Sequence, residues 1–390
     1  MPADWIPVFV LPNVQLAAAI GCDIAVLAPA HDPRVALLKR GQPIFRRFLG
    51  HFADNFGQKF EPTVLLLRAD APTGFREVGA LASFRDLIAI SVVTYNRAQE
   101  LRHPRVYRAL FGEAFAIYPW MLDKHYKCVI GSTLALLGIH EVAKFKGQSS
   151  PAIFRMSVDS DAIDQPLLAT LLGRWRRHYE VAEPDWSNTA LFRSLNMAYH
   201  ASLLPAATDT TFYDIGRLVS IWVSAFEILV HPGGRGQANR DKVFDLLEAL
   251  PWQLQRMTNL SYDTGGKTKV KRTLASWLYQ ALYDCRNNFL HGNPVTRDDL
   301  ILPVSGRTVF EYAAPLYRLA LTSFLPLIFG RTTPAVSDTL AFGAHISDHM
   351  EFIGPQRKIE EAVLTAMQAP EAGAVLMGRK GTVGFERWGQ

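Results

Sequence analysis

The sequence predicts an α+β protein: a mixed N-terminal region over residues 1–185, an all-α antiparallel helical bundle over 186–330, and a partly mobile extension over 331–390. Three observations lead there. Before residue 150, short β-branched runs bounded by Pro, Gly or Asp alternate with helical periodicity. After it such runs become scarce. From Ala190 onward, one stretch after another repeats apolar residues at intervals of three and four, with turn residues between them, which outlines a bundle.

In chain order, residues 5–11, 24–28 and 63–68 read as strands. Residues 34–56 carry Leu37, Leu38, Ile44, Phe45, Phe48, Leu49 and Phe52 at helical spacing, with Gly41 and Pro43 dividing the run. A helix follows over 81–95, and strands are expected over 115–118 and 128–133. A helix over 166–179 precedes a boundary near Pro184. The bundle helices are expected over 190–204, 214–230, 238–250, 271–291 and 308–329. Beyond Gly330 only 356–367 shows weak helical spacing, and the last ~20 residues read as mobile or peripheral.

At 390 residues, with 49% hydrophobic and 20% charged residues, the chain can bury a large core, which argues against long disorder and collagen-like repeats. A net charge of +5 permits a polyanionic partner without requiring one. Cys22, Cys128 and Cys285 are too far apart for a CxxC metal pair or a disulfide framework, which points to a reducing cytoplasm. No Lys or Arg precedes Arg34, so a signal peptide is not expected. The longest apolar stretches are interrupted by Arg217, Glu227 and Arg318 and fall short of the ~20 residues a bilayer requires, so no membrane span is expected.

Chemistry concentrates in residues 282–295, LYDCRNNFLHGNPV. Upstream, Leu274, Trp277, Leu278, Ala281, Leu282, Cys285 and Phe289 trace one apolar helix face. Arg286 lies on its flank, whereas Asn287 and His291, four apart, share the polar face. Gly292 ends the helix as a left-handed cap, and Asn293-Pro294 carries the chain away. An arginine that grips a phosphate bidentately, beside an imidazole that moves a proton near neutral pH, is a minimum kit for phosphodiester cleavage without metal. RNA supplies its own nucleophile. The same spacing also serves structure, with Arg286 closing an ion pair and His291 capping carbonyls. On a regular helix Arg286 and His291 project ~140° apart, so either the helix end distorts or groups from two chains combine.

The run Arg286, Asn287, Asn288, Phe289, Leu290, His291 resembles the signature of HEPN domains. Tyr283 before it and Gly292 after it are similar to the Apea-like group in particular, although Asn287 stands where that group often has Ser. The likeness covers about residues 188–330. It implies a helical homodimer in which two such motifs form an endoribonuclease site without metal or other cofactor. Arg286 would stabilise the phosphate, and His291 would move the proton. Asn287 would orient either the phosphate or His291, and the products would carry 2′,3′-cyclic phosphate ends. It also implies a role in antiviral defence or a toxin system, with residues 1–185 sensing or restraining. The alternative is a non-catalytic HEPN module for RNA or protein binding and dimerisation. Some HEPN toxins carry a modified Tyr two residues after the His; here that position is Asn293.

On the helix expected over 214–230, Arg217, Ser220, Ser224, Glu227 and His231 form a single polar strip, either a site wall or dimer seam, or a structural network pairing Glu227 with Arg286 or Arg217. The sequence around Glu227, Ala-Phe-Glu-Ile-Leu, also resembles the early helix of the Apea-like group. Between Lys267 and Arg307, seven Lys and Arg stand against three Asp, which makes Lys267, Lys269, Lys271 and Arg272 candidate RNA contacts. A P-loop reading of Gly266-Lys267-Thr268 fails because Ser261 stands where the first glycine belongs. The run 174–179 mixes cations with aromatics, suited either to RNA or to a helix end with Trp175 in the core. His345 and His349 could share a zinc ion, but only Asp348 and Glu351 stand near as further ligands, so no metal site is assigned.

Overall fold

The computed structural model describes residues 5–54, 57–104, 106, 111–119, 155–203, 212–258, 260–263 and 270–369. It is α+β, with strands near the N-terminus and a larger helical part. Two compact units emerge, one of residues 1–96, 109–210 and 228–237, the other of 97–108, 211–227 and 238–390.

The first unit is built on an antiparallel sheet. Its strands are β1 (Trp5–Leu11), β3 (Ile20–Gly21), β4 (Ala25–Ala28), β5 (Thr63–Arg68) and β6 (Tyr118–Pro119), in the order β3-β4-β5-β1-β6. The pairing of β1 with β5 shifts register between Pro7 and Phe9, where a proline without an N–H can leave the ladder at no cost. A separate parallel pair joins β2 (Val14–Leu16) to β7 (Met156–Val158). Helices α1 (Pro33–Gly41) and α2 (Pro43–Leu49) supply Val35, Phe45, Phe48 and Leu49 to a core shared with Val10, Val26, Val64 and Leu66. The break between them sits at Gln42, held extended at φ −129° and ψ 91° because Pro43 excludes the helical region for its predecessor.

Helix α3 (Val78–Arg102) is buried on nearly every side and outruns the expected 81–95. It is long and apolar enough to cross a bilayer by length and composition, and 83% of its most apolar window is buried inside the protein. In α4 (Gln165–Glu180) Trp175 is fully buried between Phe75 and Phe84 and donates its indole N–H to the Ala80 carbonyl at 2.9 Å. Around it Arg174 bonds Asn188, Arg176 pairs with Asp23 and Tyr179 bonds Ser83, so 174–179 is a packed helix end. Helix α5 (Trp186–Ala201) packs on α4 in the same unit. The strand expected over 128–133 lies outside the described residues.

The second unit is helical: α6 (Phe212–Leu229, the division falling after Glu227), α7 (Arg240–Glu248), the short α8 (Gln255–Thr258), α9 (Leu274–Leu290), α10 (Ala313–Phe324) and α11 (Thr339–Leu364). Helix α9 packs against α7, α10 and α11. Its core is aromatic, with Phe226, Phe244, Tyr279 and Tyr317 in contact at centroid distances of 5.2 to 5.8 Å. Two expectations are corrected. Lys271 and Arg272 do not open the helix; they form β9 (Lys271–Arg272), paired with β8 (Tyr262–Asp263), and Thr273 caps α9 by accepting from the Ser276 N–H. Beyond Gly330 the chain forms a long helix, α11, that begins at Thr339 rather than 356 and passes through Pro355. It is anchored by buried Glu360, which accepts the backbone N–H groups of Gln253 and Leu254 at 2.9 Å. The mobile tail expected for the last ~20 residues lies outside the described ones.

Candidate active site

Helix α9 carries Tyr279, Tyr283 and Arg286 four and three residues apart, one stripe of a regular helix. Tyr279 is completely buried in the aromatic core, and its hydroxyl has no hydrogen-bond partner. Half-buried Arg286 donates from Nη1 to Asn287 Oδ1 at 3.1 Å, its guanidinium carbon lies 5.5 Å from the Tyr283 ring centroid, and its buried Nε has no hydrogen-bond partner. From α6, half-buried Glu227 faces this group: burial pushes its carboxyl above the ordinary value and the Arg286 charge opposes that rise. Burial, then the Glu227 charge, likewise drives the Tyr279 hydroxyl upward, against the pull of Arg286 and Arg240. Arg240, the first residue of α7, completes the cluster, 5.5 Å from the Tyr283 ring and 5.6 Å from that of Phe244.

The end of α9 has a specific cause. The Gly292 N–H reaches the Phe289 carbonyl, the Asn293 N–H reaches the Asn288 carbonyl at 3.0 Å, and Gly292 sits at φ +68°, the left-handed Schellman arrangement expected of this glycine. His291 is the cap residue and is exposed; its N–H still bonds the Asn287 carbonyl at 2.9 Å. The helix is therefore regular through Leu290. By helical geometry the Cα–Cβ directions of Arg286 and His291 are set ~140° apart. Below the turn, α6 crosses tightly. A Cβ on Gly216 would lie 2.3 Å from Phe289 Cγ, so only glycine admits the ring there.

Other expected residues have other employment. Arg217 does not pair with Glu227 but is exposed and forms an ion pair with Asp214 at 3.1 Å. Ser220 and Ser224 return their hydroxyls to the helix's own carbonyls at 2.7 and 2.9 Å. Because α6 ends at Leu229, ahead of Pro232 and Gly233, His231 leaves the strip; its ring packs 5.4 Å from Trp186, and Nδ1 accepts the Gly233 N–H. Of the basic set, Lys267 and Lys269 lie outside the described residues. Lys271 is exposed, while Arg272 stacks 3.6 Å from the Phe244 ring and pairs with Glu248. Strand β9 stands at the opposite end of α9 from His291, roughly 25 Å away along 17 residues at 1.5 Å each. His345 and His349 stack on each other and meet the Phe329 ring edge-on, and Asp348 pairs with Arg331.

Sequence reasoning missed Tyr279 and Arg240. The first was legible, since 279, 283 and 286 share a stripe; the second was not, because only the tertiary packing of α7 brings it beside Tyr283.

The Glu227 carboxyl gives a testable pH dependence. With a folded-state value above the ordinary 4.5, its contribution to stability is complete below about pH 4.5 and lost as pH rises through the folded-state value. Glu227→Gln is expected to flatten the decline in melting temperature across that window, by the slope of at most one proton. An unchanged decline in the glutamine variant would assign it to another group.

No family model, no curated protein and no solved structure matches this chain.

Proposed function

We propose that the chain is an endoribonuclease of HEPN type that needs no metal, working as a homodimer in the cytoplasm, with Arg286 and His291 as its reacting residues. One observation carries the reading: a half-buried arginine, its buried Nε unpartnered, and an exposed histidine occupy the last turn and cap of one helix. Resemblance of the surrounding motif adds support. Arg286 would neutralise charge growing on the scissile phosphate, and His291 would take the 2′-hydroxyl proton or protonate the departing 5′-oxygen. Asn287, bonded to Arg286, would hold its fork in orientation. Because the two groups diverge on a regular helix, a complete site takes one from each of two chains. A defence or toxin role, with the first unit sensing or restraining, belongs to the same proposal.

A second reading, a non-catalytic RNA- or protein-binding HEPN module, is favoured by how much internal company Arg286 keeps in Asn287, Tyr283 and Glu227. Incubating the protein with mixed RNA in EDTA and reading the cleaved ends distinguishes them. Mixing inactive Arg286→Ala with inactive His291→Ala adds a sharper test: composite sites should restore roughly a quarter to a half of the activity, as random pairing of two chains allows. A chain that is monomeric by light scattering at micromolar concentration and still cuts RNA would overturn the two-chain site.

A further inference from the structure

Two arginines share one phenol. The guanidinium carbons of Arg240 and Arg286 each lie 5.5 Å from the centroid of the half-buried Tyr283 ring. They come from different helices, so no local periodicity forces them together. Like charges gathered around one partly desolvated ring repel, and the carboxylates at hand compensate weakly. Glu227 is half-buried on the Arg286 side, and Asp241 is exposed, 3.8 Å from the Arg240 Nε. Arg240 also opens α7, where the helix dipole adds positive potential. Neither carboxylate makes a close hydrogen-bonded pair with these arginines, and a guanidinium packed against a ring loses less freedom when its N–H fork meets a phosphate.

We propose that Arg240 is a second phosphate-holding residue of this site, so that an RNA strand is gripped at two phosphates: the scissile one at Arg286 and a flanking one at Arg240. Tyr283 sets the spacing between them. The inference rests on the endoribonuclease reading and gives its substrate a minimum size, since a single phosphodiester fills only half the grip. Arg240 touches no reacting atom in this scheme; it is a positioning residue, and its loss falls on KM rather than kcat.

The test compares a dinucleoside monophosphate with a trinucleoside diphosphate, each also as an uncleavable 2′-deoxy analogue for direct binding. Arg240→Gln is expected to weaken the two-phosphate ligand roughly tenfold more than the one-phosphate ligand, and to reduce the salt slope of binding by about 0.7, the share of one single-strand phosphate. Arg240→Lys keeps the stem and charge but not the fork. It should show the same preference at smaller size, and it decides the matter if the glutamine variant loses its packing on Phe244 and unfolds. Equal losses on both ligands, or an unchanged affinity and slope, would overturn the proposal and leave Arg240 as packing between α7 and α9. If the wild-type protein cleaves no RNA, the nuclease reading fails by itself, and the deoxy ligands still report on Arg240.

Discussion

Arg286→Ala and His291→Ala are each expected to lower RNA cleavage by about 10²–10⁴-fold, the usual scale for removing a group that moves a proton or meets transition-state charge. The fold is expected to survive both. His291 is exposed at a helix cap, and Arg286 is half-buried beside, not within, the buried face of Leu278, Leu282 and Cys285. Alanine suits the helix at 286. Removing Arg286 should also relieve the charge that holds the Glu227 carboxyl down, so that carboxyl should titrate higher still in the variant. Cleavage that persists in both variants with unfolding curves unchanged would remove the motif from the chemistry. Unfolding of both would mark it as structural.

Asp86→Ala is expected to destabilise the first unit by about 3–5 kcal/mol, the scale for stripping one partner from a buried ion pair. The Asp86 carboxylate is fully buried and accepts from Arg85 Nε at 2.7 Å and from Asn196 Nδ2 at 3.0 Å. Arg85 lies 3.7 Å from the Tyr199 ring centroid and donates to the Phe115 carbonyl, so without Asp86 it keeps its charge in a place that water does not reach. Burial pushes the Asp86 carboxyl up, against the pull of Arg85; removing the acid therefore costs more through the abandoned arginine than through the lost bond. Asp86→Leu combined with Arg85→Met should recover most of the loss, because an apolar pair carries no desolvation penalty. Thermal melting that shifts by less than about 2 °C in Asp86→Ala would show that solvent enters the pair.

Long periodic elements were legible from the residues alone, and short ones were not. Strands β1 and β5, and the division at Pro43, follow from β-branched runs and the geometry forced before proline. Strands β2, β3, β7 and β8 are two or three residues long, too short for any alternation to register. Lys271 and Arg272 continue the spacing of α9 in sequence, and only pairing with β8 withdraws them into strand β9. Helix α11 is longer than its sequence suggests because Gly343, Gly354 and Pro355 lower its local propensity, while its burial of Ile353, Ile359 and Val363 is a tertiary gain. At the site, the cap at Gly292 was readable from sequence. That Glu227 faces Arg286 rather than Arg217 depends on where α6 crosses α9, and no one-dimensional pattern carries that angle.

The crossing at Gly216 and Phe289 bears on how the motif behaves mechanically. Helix ends ordinarily melt first, turn by turn, and a side chain on the last residue then samples a wide cone. Here the final turn is latched twice, by the Phe289 ring seated on a glycine and by the two hydrogen bonds that close over Gly292. The six residues from Arg286 to His291 therefore act as a stiff ruler of fixed length and fixed twist. Whatever meets them, nucleic acid or another copy of the chain, has to conform to that ruler, because the ruler does not bend to suit the visitor.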